Sequence, residues 1–249
     1  MYFKNELKKA IFNKVSLFAI ILNFIFYFIG GYENFPFPSI DYAELFIYSQ
    51  RDGTFSLISL LFPITACLPY TTSYIAELES GYINILLTKI TLTTYICTKT
   101  LIVIITGFLV MIIPSTVYLL LLIFSKGLVI TEYESITVTL FAGIYKSFPL
   151  LYIVMTILNA SICSSLFALM GLSISAWKRN KFLTVIIPFS YYLFSAIILK
   201  QFNPYLNSIN LFTLNNLGPF TITSNLIYEI VIIVLGIYFF QLGVTKDAK

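Results

Sequence analysis

Residues 100–125 read TLIVIITGFLVMIIPSTVYLLLLIFS, a run without one charged side chain. An α-helix rises about 1.5 Å per residue, so about 20 apolar residues cross the roughly 30 Å hydrocarbon layer of a bilayer. This run is long enough, and it is apolar on every face, unlike the one-sided stripe of a helix lying on a soluble core. It predicts a transmembrane helix. Five further uncharged runs flank it, at 15–32, 53–76, 147–177, 182–199 and 230–245. The last makes a full crossing only if it begins near Leu226 and takes in Glu229. Barrel strands alternate apolar and polar residues over about ten positions, and these runs do not. The expected fold is an all-α integral membrane protein, one transmembrane domain over residues 1–249 with six transmembrane helices.

Composition supports the class. Of the 249 residues 59% are hydrophobic and 10% charged, whereas a soluble domain carries about 25% charge. The first run follows several lysines as a signal peptide would. It lacks a small-residue cleavage site, and further spans follow, so it reads as a retained helix. Cys67, Cys97 and Cys163 show no metal-ligand spacing and read as small buried apolar residues. The abundance of Ile, Phe, Tyr, Asn and Lys fits an AT-rich bacterial genome, and hence a bacterial cytoplasmic membrane.

Basic residues set the expected orientation. Lys4, Lys8, Lys9, Lys14, Lys89, Lys99, Lys178, Arg179, Lys181, Lys246 and Lys249 fall on one side of the predicted topology, eleven in all. Only Arg51, Lys126, Lys146 and Lys200 fall on the other. Cytoplasmic loops carry the basic excess, so both termini are expected inside, which requires an even number of spans. The net charge of +4 needs no nucleic-acid partner.

Three segments outside the spans have patterns of their own. In residues 1–14, Phe3, Leu7 and Ile11 recur every four positions with Ala10 and Val15 nearby, while Lys4, Lys8, Lys9 and Asn13 take the remaining faces. That predicts a helix in the lipid interface, contacting membrane lipids; the alternative is a charged extension of the first span. The first outer loop, 33–52, is acidic through Glu33, Asp41, Glu44 and Asp52. Residues 201–228 carry no charge, include Pro204, Gly218 and Pro219, and hold many apolar residues (Leu206, Ile209, Leu211, Phe212, Leu217, Phe220). They predict a short re-entrant or interfacial helical pair before the last span, or else a loop folded over the outer face.

Most chemistry is excluded. The chain has no histidine, which removes histidine acid–base catalysis, Ser-His-Asp triads and histidine metal sites. No phosphate-gripping G-x-x-x-x-G-K-[ST] sequence occurs, and no Asp falls inside a predicted span. No catalytic, cofactor or metal site is expected, and the chain is not expected to be an enzyme by itself. Ion-driven carriers usually place ionisable groups in their spans. Here only Glu229 comes close, and it reads as an interfacial carboxylate facing the outer water. Pro63, Pro69, Pro114 and Pro188 can each kink a helix. Asn159, Ser161 and Ser165 run along the fourth span, serving either helix packing or a substrate path.

The segment 76–99 is the most distinctive. Glu77 and Glu79 stand two apart at the exit of the second span, Gly81 permits a turn, and Ile83, Ile85, Leu86, Leu87 and Ile90 follow in a loop expected in the cytoplasm. Apolar residues in such a place usually mark a contact surface, with the two carboxylates expected on its rim. Here the chain resembles the membrane subunit of type-2 ABC transporters, in which acidic-x-acidic-x-Gly precedes paired leucines and a lysine opens the third span. Glu77, Glu79, Gly81, Leu86, Leu87 and Lys99 match that pattern. Leu78 replaces a residue often basic in the family, and the proline frequent after the leucines is missing. The resemblance implies that 76–99 docks on a separate cytoplasmic ATPase, which binds ATP and Mg. It also implies that 1–14 is the family's elbow helix, that 201–228 is its outer re-entrant pair, and that a second permease, identical or homologous, completes the transporter. Export of an amphiphilic substrate (a peptide antimicrobial, a lipid or a drug) follows from the same resemblance, and immunity to an antimicrobial peptide is one such role. A stand-alone secondary transporter and a non-transporting scaffold or sensor are the rival readings.

Overall fold

A computed structural model describes residues 2–37, 39–52, 56–128, 141–214 and 222–247. Among them the chain is helical without a strand. Five helices are long and apolar enough to cross a membrane, the architecture of an all-α multi-pass membrane protein. A short helix, α1 (Tyr2–Ile11), leads into the first of them, α2 (Lys14–Gly31). Helix α3 (Tyr42–Ile47) and a π-helical turn (Tyr48–Asp52) precede α4 (Leu57–Cys67), α5 (Ser73–Glu79) and α6 (Tyr82–Leu87). The long α7 (Leu92–Lys126) follows, then the short α8 (Ala142–Ser147), α9 (Pro149–Lys178) and α10 (Lys181–Phe194). A π-helical turn (Ser195–Leu199), α11 (Lys200–Phe202), a 3-10 turn (Pro204–Leu206) and α12 (Ile209–Phe212) lead to α13 (Ile222–Asp247). Of the residues singled out in the sequence, Leu217, Gly218, Pro219, Phe220, Lys249 and the side chains of Arg51 and Asp52 lie outside the described residues.

The expected second span is not one helix. Turns at 68–72 divide α4 from α5, because Pro69 has no N–H to give and its ring crowds the preceding turn. The pair nevertheless travels from one end of the bundle to the other. At one end Tyr192 donates to the Ser59 carbonyl at 2.5 Å; at the other Lys99 reaches Glu77 at 2.5 Å. That second end also gathers α1, the start of α7, the α9–α10 junction and the tip of α13, through Ser16 to the Ala10 carbonyl, Lys181 to Glu79 and Tyr74 to Asp247. The opposite end gathers Ser49 with Tyr118, Lys126 with the Phe37 carbonyl, and Ser195 with Ser208. Helices α2, α7 and α10 therefore run away from the terminal end, and α4–α5, α9 and α13 return to it.

Helix α9 is the axis of the bundle, packing against α4, α7, α10 and α13. It is the most buried of the long helices, and α10 and α13 are the least. Small residues let it approach its neighbours. A side chain at Gly107 of α7 would meet Ala168 Cβ at 2.8 Å and Ser165 Cα at 2.9 Å. In the space thus left, Ser164 donates to the Gly107 carbonyl at 2.8 Å. Phe62, Phe167, Tyr192 and Phe212 fill the centre with stacked and edge-on rings.

Two of the prolines inside helices have their freed carbonyls taken up from a neighbouring helix. Proline at position i leaves the carbonyl of i−4 without its N–H partner, and in a membrane no water replaces it. Pro114 frees the Val110 carbonyl, and Asn23 Nδ2 of α2 donates to it at 3.0 Å. Pro63 frees the Ser59 carbonyl, which accepts from Tyr192 of α10.

Before the last span, residues 200–212 form short turns of helix. Leu211 and Phe212 are buried, and Phe212 stacks on Phe62 with ring centres 4.3 Å apart. Asn159 Nδ2 holds the end of α12 through the Leu211 and Phe212 carbonyls at 2.6 and 3.2 Å.

Candidate functional site

Residues 70–99 and the N-terminal arm build one polar cluster at the terminal end of the bundle. Thr91 caps α7 by accepting from Thr94 N, and Lys99 follows two turns into the helix. Its side chain is fully buried. An ammonium has three protons to place, and all three have acceptors: Glu77 Oε1 at 2.5 Å, Tyr70 Oη at 2.8 Å and Glu6 Oε2 at 3.1 Å. Tyr95, one turn before Lys99, donates to the other Glu77 oxygen at 2.7 Å. Tyr70 donates to Glu6 Oε2, and Lys9 donates to Glu6 Oε1 at 2.8 Å. Two carboxylates thus face two ammonium groups, and every carboxylate oxygen has a donor.

The cluster fixes the charge state of Glu6. Burial by itself would push this carboxyl upward. The Lys99 ammonium, with hydrogen bonds from Lys9, Tyr70 and Lys99, outweighs that and holds it at about 2, below its ordinary 4.5.

Around this buried centre lies an exposed rim. Glu79 pairs with Lys181 at 2.6 Å, both side chains more than half exposed. Arg179, in a left-handed conformation that ends α9, pairs with Asp247. Asn180 then caps α10 by accepting from Phe182 N and Leu183 N. Exposed pairs such as Glu79–Lys181 contribute little energy, but they gather the α9–α10 junction and the end of α13 around α5.

Gly81 stands between α5 and α6 at φ +68°, the left-handed conformation that glycine adopts without steric cost. The turn aims α6 so that Ile83 and Leu86 point into the bundle, Leu86 at 6% exposure. Leu86, expected as a docking contact, is thus turned inward in the single chain. The apolar side chains presented outward are Tyr82 and Ile85, 40% and 59% exposed, with Leu87 half-buried. Glu79 is exposed, whereas Glu77 is Lys99's nearest partner.

Glu6 was not singled out in the sequence. The only signal was its position as the lone acid among four lysines, one turn before Ala10, and these two form the buried face of α1. Ser161 and Ser165 are buried and bond to carbonyls of their own helix, Ile157 and Ser161, at 2.7 and 3.0 Å. Glu229 differs from its reading as a water-facing group. It is 7% exposed in the second turn of α13, on the helix that packs against α9. Cys67 and Cys163 are buried as expected, while Cys97 is exposed. Among the described residues no three His, Cys, Asp or Glu side chains come together as a metal site. Comparison of the chain with protein-family models, curated proteins and solved structures gives no match.

Proposed function

We propose that this chain is the permease subunit of an ATP-driven transporter of the type-2 ABC class, inserted in a bacterial cytoplasmic membrane with both termini inside. The pair α4–α5 is its sixth crossing and α1 its elbow helix. A separate ATPase, which holds ATP and Mg, docks against α6. A second permease completes the transporter, and an amphiphilic substrate is exported. One observation carries the reading: the short helix α6 presents Tyr82 and Ile85 outward, while directly behind it Glu77, Lys99 and Glu6 join α5, α7 and α1 in one ionic cluster. Force applied to α6 would reach three elements at once through a buried linkage that is costly to break. The dense aromatic centre of a single copy favours a route between two permeases over one through either.

The test uses Tyr82→Asp/Ile85→Asp in the full chain. Both side chains are already in contact with solvent, so the fold should survive. The wild-type chain, affinity-purified from membranes of its own host, should bring down a Mg-dependent ATPase, and the double variant should lose it. If the wild type brings down no ATPase, or the variant retains it, the reading fails. Buried Glu229 favours a second reading, an ion-coupled carrier. That reading requires the chain alone in proteoliposomes to transport under a proton gradient without ATP, and Glu229→Gln to abolish the transport.

A further inference from the structure

Helices α10 and α13 splay apart over α9 toward the terminal end of the bundle and leave an apolar groove of about 420 Å³. Ile174 and Trp177 of α9 form its floor, Ile187 of α10 one wall, and Leu235 and Phe239 of α13 the other. The polar atoms that border it are already engaged. Ser173 donates to the Gly236 carbonyl at 2.6 Å, and Tyr191 shares a hydrogen bond with Tyr228 at 2.6 Å. The groove therefore offers hydrocarbon nothing that needs water. Because α10 and α13 are the least buried long helices, it opens sideways, toward lipid.

Its terminal end is different. Lys178 stands at the mouth. Trp177, beside it, donates Nε1–H to the Phe239 carbonyl at 2.8 Å, and tryptophan favours the level where headgroups meet hydrocarbon. Two ion pairs occupy Arg179 and Lys181 with Asp247 and Glu79. Lys178 belongs to neither pair, so the mouth carries excess positive charge. An apolar slot ending in basic residues between helices fits an anionic lipid. We infer that the groove between α10 and α13 binds an anionic phospholipid, with one acyl chain along Ile174, Ile187 and Leu235 and the phosphate at Lys178.

Trp177 is the chain's single tryptophan and lines the groove, so it reports occupancy directly. The full chain would be reconstituted in phosphatidylcholine vesicles. Brominated-acyl phosphatidylglycerol or brominated-acyl phosphatidylcholine would then be added as a minor component. Bromine quenches indole on contact. Brominated phosphatidylglycerol should reach half-quenching at about fivefold lower mole fraction, the effect of one basic residue on an anionic headgroup. Lys178→Gln should erase that preference, and Lys178→Arg should keep it. Ile174→Phe, which narrows the floor without touching charge, should reduce it. Equal quenching by the two lipids overturns the inference, as does a preference that survives Lys178→Gln. A preference untouched by Ile174→Phe would place the lipid on the surface and overturn the groove. Protection of Trp177 from both lipids would mean that a second copy fills the groove, and would overturn it too. No ATPase enters the measurement, so its outcome is independent of the function proposed above.

Discussion

Lys99 and Glu6 show what a run of uncharged residues conceals. Lys99 adjoins the third apolar run and counts among the basic residues of the expected cytoplasmic side, yet its ammonium is buried among Glu6, Glu77 and Tyr70. The pattern of a sequence gives the helix. It does not tell which distant side chain meets the lysine, because Glu6 and Lys99 come together only after α1 has folded back beside α7. A buried ion pair is weak evidence of net stability, since desolvation offsets the attraction, but removing one partner costs about 3–5 kcal/mol. Lys99→Met should therefore lower the unfolding temperature in detergent more than Glu79→Gln, whose partner Lys181 is exposed. The pH dependence has a definite sign. Glu6 is held at about 2 against an ordinary 4.5, so its stabilising contribution is complete above pH 4.5 and is lost as pH falls toward 2. Wild type should melt above Glu6→Gln at pH 6, and the two curves should converge near pH 2. A constant difference across that range would show that Glu6 is not held as a carboxylate by Lys99.

Among the elements, the long helices were legible and their interruptions only partly so. Run 147–177 became α9 almost residue for residue and run 100–125 lies within α7, which begins eight residues earlier at Leu92, because an apolar run in lipid has no other way to satisfy its backbone. Run 53–76 became two helices, and the four prolines did not say which would break. The difference lies in the neighbours. α4 and α7 continue past Pro63 and Pro114, whose freed carbonyls accept from Tyr192 and Asn23, and the turns begin instead beside Pro69. Asn23, an amide in the middle of the first span, was the visible hint that a backbone group elsewhere needed a donor. Asn23→Leu should leave the Val110 carbonyl buried without its side-chain donor and cost about 1–3 kcal/mol, read as a lower unfolding temperature. Unchanged stability would mean that Pro114 strands no carbonyl. Asn159 has a comparable task at the end of α12, which its position in the fourth span could not reveal, since α12 lies some fifty residues further along the chain.

For the whole molecule, the charge count along the sequence and the geometry of the bundle agree on one point by independent routes. The basic-rich segments 1–14, 76–99, 178–181 and the end of α13 were grouped by counting lysines and arginines. The folded chain brings them to one end through Glu6–Lys99–Glu77, Lys181–Glu79 and Arg179–Asp247. Which way that end faces is a matter of membrane insertion, and the positive-inside rule predicts the cytoplasm. Cysteine labelling measures it directly. Asp41, in the acidic loop expected outside, is a poor probe position because its carboxylate caps α3 and the residue is 4% exposed. Glu33 is exposed at the same end of the bundle, and Lys181 is exposed at the opposite one. In a chain whose Cys67, Cys97 and Cys163 are replaced by alanine, a membrane-impermeant thiol reagent added to intact cells should label Glu33→Cys and spare Lys181→Cys until the membrane is opened. The reverse pattern would place the Lys99 cluster and the outward face of α6 outside the cell, away from any ATP, and the proposed ATP-driven function would fall with it. Labelling of both positions in sealed cells would place the two ends of the bundle on one side, which three traverses between them, by α4–α5, α7 and α9, do not permit.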